Sequence, residues 1–422
     1  MTGTITRRDA LLRTAALASA GLVPAVPALA LPSRKSTRSG DIDRSLHAAV
    51  AGHEIPGVVA MAANHQSVLY EGAVGLRGAG SEARMSADTI FRIASMVKLL
   101  TSVAAMQLVE RGRLKLDEPA GNIDPMLAAP RVLTGFDSGG APQLREAHEH
   151  LTLRNLLTHT SGLSYPLWDA DVLRYVRFAR STKNKDLPRM PLMFEPGAKW
   201  AYGGSIDRVS RMVEIASGQR IDRYFQDNIT GPLGMNDTGF TITEKQRARQ
   251  ARLHRRGAGG KLMPQPFEKL ETPTSFSGGG GIYSTAQDYL RLLQALLNGG
   301  SLDGARILRA ETVAQMAVNQ IGNLKAGVMK TTNPALSNDV DFFPGTRLRW
   351  GLGHMINADA MPGGRRAGSL TWAGLYNTYY WIDPSTRVAG VIMMQILPFA
   401  DRLALKVYRE FEHGICRAVR PG

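Results

Sequence analysis

Cysteine is nearly missing from this chain: Cys416 is the only one in 422 residues. An intrachain disulfide is thereby excluded, as is any metal site built on several thiolates. Acidic residues are outnumbered, 36 Asp and Glu against 51 Lys and Arg, which leaves a formal charge of +15. That balance favours anionic surfaces or polymers without identifying one. Long apolar runs are missing too. Ala15–Ala30 is short for a membrane-spanning helix and no later segment reaches that length, so no stable membrane anchor is expected. There is no internal repeat and no G-x-S-x-G motif, and without that nucleophile elbow a Ser-His-Asp site around His159 is not favoured. Histidines and carboxylates do not gather at ligand spacing. His148-Glu149-His150 reads as a solvated loop, and no metal or other cofactor is expected.

What is present is an ordinary globular composition, 44% hydrophobic and 21% charged, at a length that suits one large domain with an insertion. Residues 1–30 read as an export signal. Arg7-Arg8 precedes the mildly apolar run, and Ala28-Leu29-Ala30 offers a small-x-small cleavage site, which together resemble a twin-arginine signal. The expected location is the periplasm or the medium. Residues 31–40, rich in Ser, Arg and Lys, read as a linker.

The stretch around which the rest is organised runs from Phe91 to Leu114. Between Ile93 and Val109 it is almost wholly apolar or small, Lys98 is its only charge, and no Gly or Pro interrupts it until Gly112. Apolar positions cover every face, which predicts a central buried helix. Ser95 and Lys98, at i and i+3, share one face. A buried lysine is costly while charged, which favours the neutral amine that can act as a base. A serine one turn away is a nucleophile suited to such a base. The spacing alone is equally compatible with a serine cap and a snorkelling lysine.

Elsewhere the patterns predict a helix over Ile42–Ala51, strands over Gly57–Ala63 and Ser67–Gly75, and a helix over Ala286–Leu297 after the glycine run Gly278–Gly281. Two further strands, Tyr376–Ile382 and Val388–Gln395, flank a hairpin-like turn, and a helix over Pro398–Val419 closes the chain. Strands near both ends with helices between them predict one antiparallel sheet: 41–115 and 275–422 form an α/β sheet region, and 116–274 a mostly helical one. The basic run Lys245–Lys261 lacks interleaved aromatics and reads as a solvated surface segment, so no nucleic-acid partner is expected.

Several stretches together resemble the serine β-lactamase-related family, which holds class C β-lactamases, D-alanyl-D-alanine peptidases and family VIII esterases. Phe91-Arg92-Ile93-Ala94-Ser95-Met96-Val97-Lys98 is similar to its nucleophile segment. Leu156–Leu163 is similar to a turn of its helical region, and Phe194-Glu195-Pro196-Gly197 leads to Tyr202 much as in its tyrosine motif. Gly231-Pro232-Leu233-Gly234-Met235 and Trp350-Gly351-Leu352-Gly353 are further landmarks. The resemblance implies an α+β fold, an antiparallel sheet flanked by helices beside a large helical insertion, with the site between. It implies Ser95 as the acylated nucleophile, Lys98 with Tyr202 as base and proton relay, and the backbone N–H groups of Ser95 and Leu375 as oxyanion hole.

Two departures bear on substrate. The tyrosine motif of β-lactamases ends in asparagine, but Gly204 stands here. The later Lys-Ser/Thr-Gly motif is replaced by Trp372-Ala373-Gly374, as in the esterase branch. Glycine has no amide for a β-lactam side chain, and tryptophan has no charge for a substrate carboxylate. The expectation is therefore an exported serine hydrolase of carboxylic esters working through an acyl-enzyme. Amide hydrolysis of β-lactams or cell-wall peptides is the alternative on the same residues, and a non-catalytic binding protein the alternative of another class. The partner expected is a small-molecule ester or cell-wall-type substrate; the oligomeric state is not expressed in the sequence.

Overall fold

The computed structural model describes residues 39–419 apart from 79–81, 268 and 270–272. The export signal and most of the linker reading lie outside the described residues. Helix α1 (Ser39–Ala51) begins two residues inside the expected linker. Strands β1 (Gly57–Asn64) and β2 (Val68–Gly75) follow as a hairpin, and α2 (Val97–Glu110) is the buried helix. Helix α3 spans Ser205–Ser217 and α4 spans Ala286–Leu297. Strands β3 (Leu348–Trp350), β4 (Met355–Asn357), β5 (Leu370–Gly374), β6 (Thr378–Asp383) and β7 (Val388–Met393) precede the last helix, α5 (Arg402–Val419).

The seven strands form one antiparallel sheet in the order β3-β4-β5-β6-β7-β1-β2. The two ends of the chain thus meet where β1 pairs with β7, Val59 opposite Met393 through Asn64 opposite Val388. Every residue of β6 and β7 is buried, as a strand covered on both faces requires. Alternation along β6 shows the two coverings. Tyr379 stacks on Tyr408 and Trp381 meets Phe411, both on α5, whereas Tyr380 faces Tyr289 of α4.

Strand β6 starts at Thr378 rather than Tyr376 because Asn377 takes a left-handed conformation, φ 60°, and its amide is tied to the carbonyls of Ile396 and Pro398. Helix α5 starts at Arg402 rather than Pro398 because Asp401 accepts from the Leu403 and Ala404 N–H groups, each at 3.0 Å, and so caps it.

The intervening region holds the helices Leu153–Leu157, Ala170–Thr182, α3 and Ile221–Phe225, together with a hairpin the pattern did not suggest, Arg131–Phe136 with Pro142–Glu146. The basic run is not a solvated segment throughout. His254–Arg256 pairs in parallel with Ile396–Leu397. The Arg256 guanidinium pairs with Asp401, and Arg249 pairs with Asp237, in both cases with side chains mostly out of solvent. Carboxylates outside the run, rather than local patterning, draw these arginines inward.

Candidate active site

The sequence 93–98 does not enter its helix directly. Residues Ile90–Arg92 form a short strand paired with Tyr283–Thr285, and Ala94–Met96 make one 3₁₀ turn before α2 begins at Val97. Ala94 sits in the left-handed region, φ 44°, a conformation that costs an alanine about 1–2 kcal/mol. It is held there because the Ile93 N–H donates to Ile282 and the Ile93 carbonyl accepts from Met96. The result sets Ser95 on the rim of α2, partly exposed, while Lys98 one turn on is 3% exposed.

Lys98 Nζ donates to Ser95 Oγ at 3.0 Å and to the Gly279 carbonyl at 2.7 Å. Its head lies 5.2 Å from the Tyr202 ring centre and 5.5 Å from that of Tyr165. With Gly279 holding it from the far side, Nζ is within proton-transfer reach of the serine hydroxyl. Tyr202 is buried, and its hydroxyl oxygen accepts from Trp372 Nε1 at 3.2 Å. The structure therefore brings Ser95, Lys98, Tyr202 and Trp372 together. Gly204, the residue before α3, stands instead beside Asp207 and Tyr165 and is not part of the cavity lining.

Gly374 ends β5 where the strand touches the nucleophile turn. A side chain there would collide with the Ile93 carbonyl and the Thr378 hydroxyl. Leu375 follows at the tip of the β5–β6 hairpin and, with Ser95, lines the cavity.

Behind Tyr202 lies an aromatic cluster. Trp372 packs on Tyr202 and Trp350 with ring centres 4.7 and 4.6 Å apart, and His159 lies 4.8 Å from Tyr202 and 5.1 Å from Trp350. Burial, and then the charge of Lys98, hold the His159 imidazole well below its ordinary range, so it stays neutral. It makes ring contacts rather than a catalytic hydrogen bond, and its Nδ1 has no partner among the described residues.

Sequence reasoning missed three contributors. The Gly279 carbonyl is a direct partner of Lys98, and only the unexplained glycine run hinted at it. Tyr165 lies beside Tyr202 on the same side of the lysine head, its ring 5.7 Å from that of Tyr202. Burial, reinforced by the neighbouring Asp207, pushes its phenol well above the ordinary range, so it stays protonated. Asp207 itself accepts from Tyr165.

Ser95 opens into a cavity of about 1000 Å³, roughly the upper end for small-molecule sites. Its walls carry the rings of Tyr165, Trp168, Trp372 and Phe399 and the aliphatic Ile242 and Leu336, and the basic side chains of Arg92, Arg177 and Lys269 also line it. Among the described residues no Asp or Glu lines it.

Residues 42–414 match the profile of the Beta-lactamase family. Monacolin J acid methylbutanoyltransferase of Aspergillus terreus is 32% identical over 402 residues, which cover 90% of this chain and 96% of that protein. Lovastatin esterase of Penicillium rubens is 30% identical over 405 residues, covering 89% and 98%. Among solved structures, the LovD9 mutant of simvastatin synthase LovD from Aspergillus terreus matches with a TM-score of 0.78 at 30% identity, over 90% of this chain and 99% of that one. EstCE1, a hydrolase with promiscuous acyltransferase activity, matches with a TM-score of 0.68 at 22% identity, over 90% and 99%, which is a likeness of fold.

Proposed function

This chain belongs to the β-lactamase family of serine hydrolases and acyltransferases, and from that premise we propose that it cleaves carboxylic esters through an acyl-enzyme on Ser95. The observation that carries the reading is the Ser95–Lys98 contact opening on a large cavity with aromatic and aliphatic walls, with neither an amide at 204 nor a cation at 372. In the proposed reaction the Ser95 hydroxyl attacks the ester carbonyl carbon while its proton passes to the Lys98 lone pair. The N–H groups of Ser95 and Leu375 receive the oxyanion. As the intermediate collapses, the alkoxide leaves and takes the proton from Lys98, directly or through the Tyr202 hydroxyl. The acyl-Ser95 ester is then cleaved by the reverse sequence with a new hydroxyl acceptor.

That acceptor is water in a hydrolase and a second alcohol in a transferase. Relatives of about 30% identity carry both names, an esterase and a methylbutanoyltransferase. The width and apolar flanks of the cavity support a bulky apolar alcohol as an acceptor alongside water. The purified protein given a short-chain aryl ester, with and without such an alcohol, tests this. The proposal expects phenol release in both cases and a new ester in the second. Phenol release without any new ester would leave hydrolysis alone; no phenol release would remove the ester reading. Export through the Arg7-Arg8 segment, to periplasm or medium, is the cellular half of the proposal and rests on that sequence.

A further inference from the structure

The glycine run meets Lys98 through one carbonyl, yet the backbone of its first two residues is gripped from both sides. From α2, Thr101 Oγ1 donates to the Gly278 carbonyl at 2.8 Å and Lys98 Nζ to the Gly279 carbonyl at 2.7 Å. These side chains are one helical turn apart. From α3, Ser210 Oγ accepts from the Gly278 N–H at 3.1 Å. Asp207, one turn before Ser210, reaches the run through Ser277, whose hydroxyl donates to Asp207 Oδ1 and accepts from the Gly279 N–H at 3.1 Å. The space allows only glycine. A Cβ on Gly278 would overlap Thr101 and Ser210, and one on Gly279 would overlap the Asp207 carboxylate.

The other carboxylate oxygen of Asp207 accepts from the Tyr165 hydroxyl at 3.1 Å, and the Tyr165 ring lies against Lys98. The carboxylate also occupies the place toward which a side chain at 204 would grow. A Cβ on Gly204 would stand 3.5 Å from Asp207 Oδ2 and 3.7 Å from the Tyr165 ring.

We propose that Asp207 is a positioning residue for Lys98, holding the Gly279 carbonyl and the Tyr165 ring against the lysine in place of the asparagine that position 204 lacks. The inference rests on the reading of Lys98 as base. Without the carboxylate, Ser277 and Tyr165 lose their shared acceptor together, and of the α3 contacts to the run only that of Ser210 with the Gly278 N–H is left. The Lys98 amine is then no longer held against Ser95 Oγ. Asp207 does not line the substrate cavity, so its loss acts on the rate of the chemical step and not on substrate binding.

The test is steady-state hydrolysis of an aryl ester by Asp207→Ala, Ser277→Ala, the double variant and Lys98→Ala. Asp207→Ala is expected to lower kcat by about ten- to a hundredfold with KM within about twofold. Ser277→Ala should show a smaller loss of the same kind, and the double variant should be no slower than Asp207→Ala, because both act through one chain of bonds. If Asp207→Ala does not fold, the near-isosteric Asp207→Asn and the exposed Ser277→Ala carry the same comparison. A kcat within about twofold of the parent in the Asp207 variant, with Lys98→Ala inactive, overturns the proposal and leaves Lys98 as base. Independent, multiplicative losses at 207 and 277 overturn it as well. An active Lys98→Ala removes the base assignment, and this inference with it.

Discussion

At the scale of single residues, the account stands on a short list of side chains with separable jobs. Ser95→Ala should abolish labelling by a fluorophosphonate, read by intact-protein mass. Lys98→Ala should label but turn over at least about a hundredfold more slowly, as loss of a general base does; near-full activity in either variant would break the assignment. Trp372 has two roles that substitutions separate. Trp372→Phe keeps a ring on the wall but removes the Nε1–H donated to Tyr202, and a neutral hydrogen bond of about 1 kcal/mol corresponds to roughly a fivefold fall in kcat. Trp372→Ala opens the wall as well and should shift acyl-chain preference more than it lowers the overall rate. Equal profiles across chain lengths for Trp372→Ala and the parent would show that the indole does not border the acyl group.

At the scale of elements, legibility followed the range of the forces involved. Helices α2 and α4 were visible in the sequence because apolar spacing and the absence of Gly and Pro are local properties, and α4 spans the expected residues. The contact between Ser95 and Lys98 is legible for a related reason: i, i+3 spacing brings the two side chains together although Ser95 lies in the 3₁₀ turn and Lys98 in α2. The 3₁₀ turn at 94–96 and the left-handed Ala94 were not, since a bond from Ile93 to Ile282, far along the chain, imposes them. The role of Gly279 was hidden because a carbonyl leaves no trace in residue identity. Asp207 was hidden because its partners, Tyr165 and Ser277, come from separate segments. The tight meeting of β5 with the nucleophile turn gives a direct expectation. Gly374→Ala forces a methyl into the Ile93 carbonyl, so stability should fall by about 1–3 kcal/mol and esterase activity should fall further than that loss explains at temperatures where the protein stays folded. An unchanged urea midpoint would mean that the contact is looser than described.

At the scale of the whole molecule, three buried histidines set an acid limit. His354 is pushed down to about 3 by burial alone, and burial is also the chief cause that holds His159 and His254 below their usual range. The folded chain keeps these rings neutral while the unfolded chain takes up protons below about pH 6.5, so their contribution to stability is complete above that pH and is lost as pH falls through it. Asp288 opposes them. Its carboxyl is pushed up to about 6, chiefly by burial, so it adds stability as pH falls from about 6 toward 4. Three groups against one leave a net loss of stability on acidification from about pH 7.5 to 5, measurable as a falling urea midpoint. A midpoint that rose on acidification would contradict the neutral burial of the rings. In the cell, replacing Arg7 and Arg8 by lysine should retain the precursor in the cytoplasm, and normal arrival in the periplasm or medium would mean a different export route.

The central claim, an ester-cleaving acyl-enzyme in place of an amide-cleaving one, is tested most directly by kcat/KM measured side by side on a short-chain aryl ester, a cephalosporin and a D-alanyl-D-alanine peptide. A charged hydrogen bond to a substrate carboxylate is worth about 1.5–3 kcal/mol, and its absence at Trp372 costs the latter two roughly ten- to a hundredfold. The better leaving group of the ester adds to the gap. The account predicts that the aryl ester exceeds both by at least about a hundredfold. Comparable or faster cleavage of the cephalosporin or the peptide would contradict it.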